Sequence, residues 1–440
     1  MRLLLSFSLA LTVSLTSLSA CASDMSDLTN TERAILAQVD EGLDADRSLL
    51  KQIVNINSGT MNFAGVKAVA DVLVPEFTAL GFDAEWLDGA AFNRAGHLVA
   101  SYGTKGPRLL LIGHLDTVFA DDDSFQLWSE QSGNMVGGPG ITDMKGGNVI
   151  MLSALRAMKN AGVLDRIQVR VVMTGDEENS GKPLGLSKKA LIDGAKWADI
   201  ALGFEDGDGS IETAVVARRS STGWALEVTG KPAHSSQIFR EDIGFGANFE
   251  LVRILNEFRE ELGGIENLTF NPGVIAGGTR QDFNRQEATS TVFGKSNVIA
   301  QTAMARGGIR ALSPEQLEMA KEAMFEIASR SLPHTSAVLT FEEGYPPMAP
   351  TDGNYALLGL YSQASRDLGF GAVAAVNPRK AGAADISFAA NHVDMALDGL
   401  GLMGDGGHTR GEVADMDSFD KNIKKAAILM YRLSMVPAPL

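Results

Sequence analysis

From about residue 26 to residue 210, short apolar runs alternate with stretches of helical periodicity, the pattern of βαβ units around a largely parallel sheet. The clearest strands are predicted over 109–113, 167–174 and 200–204. Between the first two, Ile150, Met151, Ala154, Leu155 and Met158 share one helical face, which predicts a helix over 145–161 with Gly162 as its stop. Each predicted strand runs into a polar cluster. In open α/β sheets the ligand crevice lies beyond the carboxyl ends of the strands, so these clusters are expected to converge in space.

The pattern changes near Arg218. Residues 220–346 read as strand, helix (244–262), two strands, helix (314–330) and strand, a βαββαβ order that suits a small α+β lobe. Ser313 is a natural N-cap, Pro314 suits the first helical position, and Gln316 completes a capping box. The α/β pattern resumes after Pro350. The predicted division is therefore a catalytic domain in two parts, 26–217 and 347–440, with the lobe 218–346 inserted between them.

Composition narrows the chemistry. The 440 residues carry 38 Lys and Arg against 54 Asp and Glu, a formal charge of −16, with 45% hydrophobic residues. No basic cluster is present to track phosphates, which argues against nucleic acid as a partner. A single cysteine, Cys21, excludes a disulfide framework and a cysteine zinc site, so any metal must be held by carboxylates and some of the six histidines.

The segment 1–21 reads as an address. Arg2 precedes an uncharged, mostly apolar run over 3–18, the layout of an export signal. Leu18-Ser19-Ala20-Cys21 resembles a bacterial lipobox, while Ala20 and Ala22 also fit ordinary signal cleavage. The expected location is periplasmic or the outer membrane, with membrane contact through a lipid on Cys21 alone.

Five clusters carry the candidate chemistry. His114 ends the first strand, and Asp116, two residues on, could accept its second imidazole N–H. A glycine-rich turn over 137–147 delivers Asp143 to the mouth of the predicted helix. Asp is also a favoured N-cap, and the glycines match neither common phosphate-binding motif. Asp176, Glu177 and Glu178 follow another strand. Their mutual repulsion in a crevice calls for a cation or a protonated member, as a metal ligand beside a general base requires. Glu205 and Asp206 end the next strand, and spacing does not separate them as ligands. His408 lies in a late glycine-rich loop. Together they supply the oxygen and nitrogen donors of a dinuclear zinc site, which cobalt or manganese would also accept. His97, His334 and His392 match no motif and are expected to be structural or surface residues.

In this order the clusters resemble the co-catalytic dinuclear zinc amidohydrolases, which include bacterial glutamate carboxypeptidase, acetylornithine deacetylase, succinyl-diaminopimelate desuccinylase and the aminoacylases. The likeness begins at Ile53-Val54-Asn55-Ile56-Asn57-Ser58-Gly59-Thr60 and spans nearly the whole mature chain. It implies an α/β zinc-hydrolase catalytic domain with an inserted lid and dimerisation domain. Asp143 would bridge two zinc ions, with His114 and Glu205 on one and Glu178 and His408 on the other. Glu177 would be the base that deprotonates a metal-bridged water and passes the proton to the leaving amine, and Asp116 would orient His114.

Thr229-Gly230-Lys231-Pro232-Ala233-His234-Ser235 resembles the family segment whose histidine, here His234, enters the partner's active site in a homodimer and stabilises the oxyanion. Asn297 and Arg310 match positions that bind a substrate carboxylate, a task suited to the bidentate guanidinium. Gly308, Ala300 and the loop 380–385 depart from the family pattern, which bears on substrate rather than chemistry.

The implied activity is hydrolysis of an amide or peptide bond next to a free C-terminal carboxylate, in a small peptide or N-acyl amino acid. A glutamate-carboxypeptidase-like exopeptidase is the first choice, and an N-acyl amino acid deacylase or dipeptidase is the related alternative. A catalytically silent binding lipoprotein is the alternative from another class, and the intact ligand set argues against it.

Overall fold

The computed structural model describes residues 28–284 and 287–435; Cys21 and the segment 1–21 lie outside them. The chain opens with α1 (Asn30–Val54), started by a reciprocal capping box: the Thr29 hydroxyl accepts from Glu32 N, and Thr29 N donates back to the Glu32 carboxylate at 2.7 Å. There follow α2 (Phe63–Ala79), β1 (Asp83–Asp88), β2 (Gly96–Tyr102), β3 (Arg108–His114), α3 (Gly146–Asn160), β4 (Gln168–Thr174), α4 (Lys189–Trp197) and β5 (Ile200–Gly203). The lobe contributes β6 (Thr222–Gly230), α5 (Gly246–Leu262), β7 (Thr269–Gly278), β8 (Arg280–Asn284), β9 (Thr289–Phe293), β10 (Thr302–Arg310), α6 (Pro314–Ser329) and β11 (Thr335–Phe341). The chain then returns through α7 (Asp352–Asp367), β12 (Met395–Leu397) and α8 (Asp417–Leu433).

Among the described residues the larger sheet has the order β1-β2-β4-β3-β5-β12. Strands β4, β3, β5 and β12 are parallel, whereas β1–β2 and β2–β4 pair antiparallel. The largely parallel sheet read from the sequence is thus extended at one edge by a hairpin. Strand β1, Asp-Ala-Glu-Trp-Leu-Asp, lies at that edge with Asp83, Glu85 and Asp88 exposed, and so lacks the apolar run that marks the central strands. Helix α3 packs between α1 and α8, and Val149, Ile150, Met151, Leu152, Ala154, Leu155 and Met158 are fully buried. Each such large side chain contributes about 1.5–3 kcal/mol of burial, which anchors the helix whose mouth holds Asp143.

The lobe is an antiparallel sheet, β7-β10-β6-β11, whose buried face carries α5 and α6 over Trp224, Leu226, Phe258, Ile309 and Met324. The hairpin β8–β9 is an addition to the expected βαββαβ order. Every residue of β9 is exposed, so no apolar alternation announces it. The expected capping box at α6 is only half formed. The Ser313 hydroxyl accepts from Gln316 N at 3.2 Å, but Gln316 Oε1 accepts a hydrogen bond from Leu312 N at 2.7 Å, because that N–H lies within reach one residue earlier. Two adjacent strands join lobe to catalytic domain, bridged at Arg218–Met348 and Ser221–Tyr345. Among the described residues no helix is long and apolar enough to cross a membrane.

Candidate metal centre

The site forms where β3, β4 and β5 end. His114 closes β3 at 1% exposure, with Nε2 at 2.9 Å from Asp143 Oδ1 and 3.6 Å from Glu205 Oε1. Its Nδ1 faces the main-chain carbonyl of Asp116 at 3.0 Å, while the Asp116 carboxylate is 3.5 Å away, long for a hydrogen bond. Asp116 thus faces the His114 ring with both its backbone carbonyl and, at longer range, its carboxylate. The carboxylate has other partners: it accepts from Glu177 N at 3.0 Å, Glu178 N at 3.2 Å and Thr60 Oγ1 at 2.6 Å. Two full negative-end bonds to adjacent amides hold the Glu177–Glu178 turn against β3.

Asp143 rides on an irregular turn, Ile141–Lys145, entered through Gly140 at φ +69°. Its two oxygens face different histidines, Oδ1 toward His114 and Oδ2 toward His408 Nε2 at 2.8 Å. The turn is pinned by Glu412, whose carboxylate accepts from Gly140 N and Thr142 N, both at 2.9 Å. Sequence reasoning did not single out Glu412. Its one signal is an acid four residues after His408, and its partners lie some 270 residues away.

Glu205 follows β5, placed by a close approach: a Cβ on Gly147 would stand 1.8 Å from Phe204 O, so the first turn of α3 can press against the strand end only through a glycine. Glu205 N donates to Asp398 Oδ1 at 3.3 Å, and Asp398 is paired with buried Arg218 at 2.8 Å. Glu205, rather than Asp206, faces His114, whereas Asp206 lies toward Thr142. Glu178 Oε2 reaches His408 Nε2 at 3.2 Å, and Glu178 Oε1 is buried with no hydrogen-bond partner. One donor atom each from His114, Asp143 and Glu178 lie within 4.8 Å of one another.

The electrostatics are those of crowded acids. Burial pushes Glu177 and Glu205 well above the usual carboxylate range, raises Glu178, and lifts Asp206 to about 7, with neighbouring acids adding to each shift. Asp143 is held low despite its burial because both histidines bond to it. His408 is raised to about 11 by Asp143 and Glu178. His114 is raised as well: burial opposes its charge, but Glu205, Asp116 and Asp143 prevail. Two imidazoles thus balance a larger number of carboxylates, and an orphaned buried carboxylate oxygen remains. That donor set fits divalent cations, which relieve such repulsion.

The structure brings His114, Asp143, Glu178, Glu205 and His408 together, with Asp116 and Glu177 beside them. It keeps His234, Asn297 and Arg310 on the lobe. His234 is exposed, its Nδ1 at 2.8 Å from Ser236 Oγ, and the Asn297 carbonyl accepts from the adjacent Ser235 N at 2.9 Å. Arg310 ends β10 opposite Thr269 of β7. His97 is structural: at 2% exposure its Nε2 meets Ser187 O at 2.7 Å and its Nδ1 accepts from Gly175 N.

A family model described as peptidase family M20/M25/M40 matches residues 110–434. The chain is 26% identical over 391 residues to carboxypeptidase G2 of Pseudomonas sp. (strain RS-16), a match covering 87% of this chain and 88% of that protein. It is 30% identical over 176 residues to a probable succinyl-diaminopimelate desuccinylase of Staphylococcus epidermidis, covering 39% of this chain and 41% of that one. Among solved structures, a Staphylococcus aureus tripeptidase shares the fold with a TM-score of 0.65 at 19% identity, over 89% of this chain and 98% of that chain.

Proposed function

Because the chain belongs to peptidase family M20/M25/M40, we propose that this hydrolase is an exported exopeptidase using two zinc ions to cleave the amide bond before a free C-terminal carboxylate. The observation that carries the reading is Asp143, whose two oxygens point to different histidines inside a pocket of buried acids. His114 and Glu205 would hold one ion, Glu178 and His408 the other, with Asp143 shared. The mixed nitrogen and oxygen donors favour zinc, and cobalt or manganese would suit them too. When bound, such ions polarise the scissile carbonyl and acidify water toward neutral pH.

The chain's own residues supply the proton path and the grip. Glu177, pushed up by burial next to these donors, is placed to accept a proton from water and return it to the leaving nitrogen. Arg310 would bind the substrate carboxylate. Opposite it, the Thr269 hydroxyl accepts from Arg219 Nη1 at 2.8 Å, and Arg219 is held below its ordinary value by burial and by the nearby Arg310 and Arg379. Arg219, Arg310 and Arg379 thus gather three like charges, which supports an anionic partner supplied by the substrate. His234, exposed beside Asn297, would act in the partner's site of a homodimer. The lipid on Cys21 would be the one membrane attachment.

An N-acyl amino acid deacylase or dipeptidase would use the same machinery with a different side-chain pocket. The test is release of free amino acid from a panel of dipeptides and N-acyl amino acids by residues 22–440, with chelation, zinc restoration and Glu177→Gln. Zinc-restored release of the C-terminal residue, abolished in a variant that still binds metal, is the expected result. Two bound metals without cleavage would overturn the substrate assignment, and no metal binding would make a silent binding protein the leading reading.

A further inference from the structure

The two strands that connect the lobe to the catalytic domain run side by side. Ser221 and Tyr345 exchange both main-chain hydrogen bonds at 3.0 Å, and Arg218 and Met348 exchange theirs at 3.0 and 2.9 Å. Tyr345 belongs to this connection, yet its side chain enters the catalytic domain. There its hydroxyl lies 2.9 Å from the main-chain carbonyl of Glu177, 3.1 Å from Asp385 Oδ1 and 3.0 Å from Ser180 Oγ.

The place of that contact matters. The peptide group joining Glu177 to Glu178 consists of the Glu177 carbonyl and the Glu178 N–H. The N–H is bonded to the Asp116 carboxylate, and the carbonyl faces the Tyr345 hydroxyl, whose one proton it shares with Asp385, so the group is held at both ends. This plane sets ψ of Glu177 and φ of Glu178, the torsions between the two Cα atoms that carry the base and the metal donor, so a change in either one alone turns one side chain relative to the other. A partly buried amide satisfied on both sides has one preferred orientation; freeing its carbonyl removes half of the restraint.

The tyrosine is itself braced. Its ring meets Phe388 edge-on with centroids 4.8 Å apart, and buried Lys188 lies 5.4 Å from the ring centre. Lys188 Nζ bonds Asp385 and Asp176, each at 3.0 Å, and Asp385 also accepts from the Thr174 hydroxyl. The hydroxyl therefore cannot swing away without breaking a buried polar network.

We infer that Tyr345 is a positioning residue through which the connection to the lobe sets the aim of Glu177. The inference rests on the reading of Glu177 as the base. A shift of the lobe acts first on the paired strands 218–221 and 345–348, and Tyr345 carries it to the one peptide that separates base from metal donor.

The test uses residues 22–440 carrying Tyr345→Phe, Phe388→Leu or Glu177→Gln. Two readouts are taken: kcat and KM on a dipeptide that the wild type cleaves, and hydrogen exchange of the amides of Glu178 and Asn179. Tyr345→Phe keeps the ring and removes the hydroxyl; it is expected to lower kcat by about tenfold, leave KM and metal content near wild type, and speed exchange at Glu178. Phe388→Leu loosens the packing and keeps the hydroxyl bonds; it is expected to lower the melting temperature without either effect. Unchanged kcat and exchange in Tyr345→Phe would overturn the inference, as would equal losses in Phe388→Leu. If Glu177→Gln stays active, the base reading fails separately, and the exchange data alone decide whether Tyr345 fixes the peptide.

Discussion

Replacing Asp116 by Asn would change one atom and test how the base and its neighbour are held. Asp116 is 0% exposed and its carboxylate accepts from Glu177 N, Glu178 N and Thr60 Oγ1. Asn offers one carbonyl oxygen and one NH2 group in the same space. If the oxygen keeps the Glu177 N–H, the NH2 faces the Glu178 N–H; flipping the amide exchanges the two losses. The Thr60 hydroxyl can rotate to accept, but one backbone N–H is left without an acceptor. Losing a charge-assisted bond and stranding that donor costs about 2–3 kcal/mol, enough to lower the melting temperature by roughly 3 °C in a protein of this size. Because His114 Nδ1 relies on the Asp116 main-chain carbonyl, its orientation should survive. Metal content after dialysis against zinc should then fall less than kcat, which is expected to drop about 10- to 100-fold. Thermal melting, elemental analysis and kinetics on one cleaved dipeptide measure the three quantities. A variant that melts and turns over like wild type would refute the reasoning, and one that loses metal in step with activity would return the carboxylate to His114.

Four further outcomes follow from the same geometry. Gly147→Ala would set a methyl group 1.8 Å from Phe204 O, and the forced shift of the helix mouth should cost about 3 kcal/mol and reduce metal content through Glu205, read by urea unfolding and elemental analysis. Buried Lys425 is lowered from 10.5 to about 7 by burial. The unfolded chain therefore binds the extra proton between those values and stability rises with pH, so the wild type should gain about 2 kcal/mol over Lys425→Met from pH 7 to 9, and a flat difference would contradict it. Zinc at a hundredfold excess over its dissociation constant should add about 2.7 kcal/mol of stability, seen as a melting shift that chelation reverses. Arg310→Ala should raise KM at least about tenfold with a smaller change in kcat, whereas equal KM values would remove it from carboxylate recognition.

Much of the frame was legible because it is written locally. Apolar periodicity predicts a helix over 145–161 and a strand over 109–113, and the structure has α3 at Gly146–Asn160 and β3 at Arg108–His114. Central strands must be apolar on both faces, so they stand out in any reading of the chain. The edge strand β1 and the surface strand β9 escaped that logic, since such strands bury too little to leave a period. At the site, strand ends and glycine-rich turns flag the five clusters, but only their joint occurrence points to a metal centre, and the resemblance rather than spacing picks Glu205 over Asp206 beside His114, Asp143, Glu178 and His408.

What the sequence by itself determined, then, is the α/β layout and the set of polar groups delivered to strand ends, because both follow from the chemistry of neighbours along the chain. The tertiary structure alone decided which atoms meet. It turns Glu205 rather than Asp206 toward His114, gives the Asp116 carboxylate to the Glu177–Glu178 amides, and brings Glu412 under the Asp143 turn. It also carries Tyr345 from the lobe connection to the Glu177 carbonyl, 168 residues away in sequence. Hydrogen bonds depend on tenths of an ångström and on direction, and those are set by how whole elements pack, not by the spacing of residues along one strand.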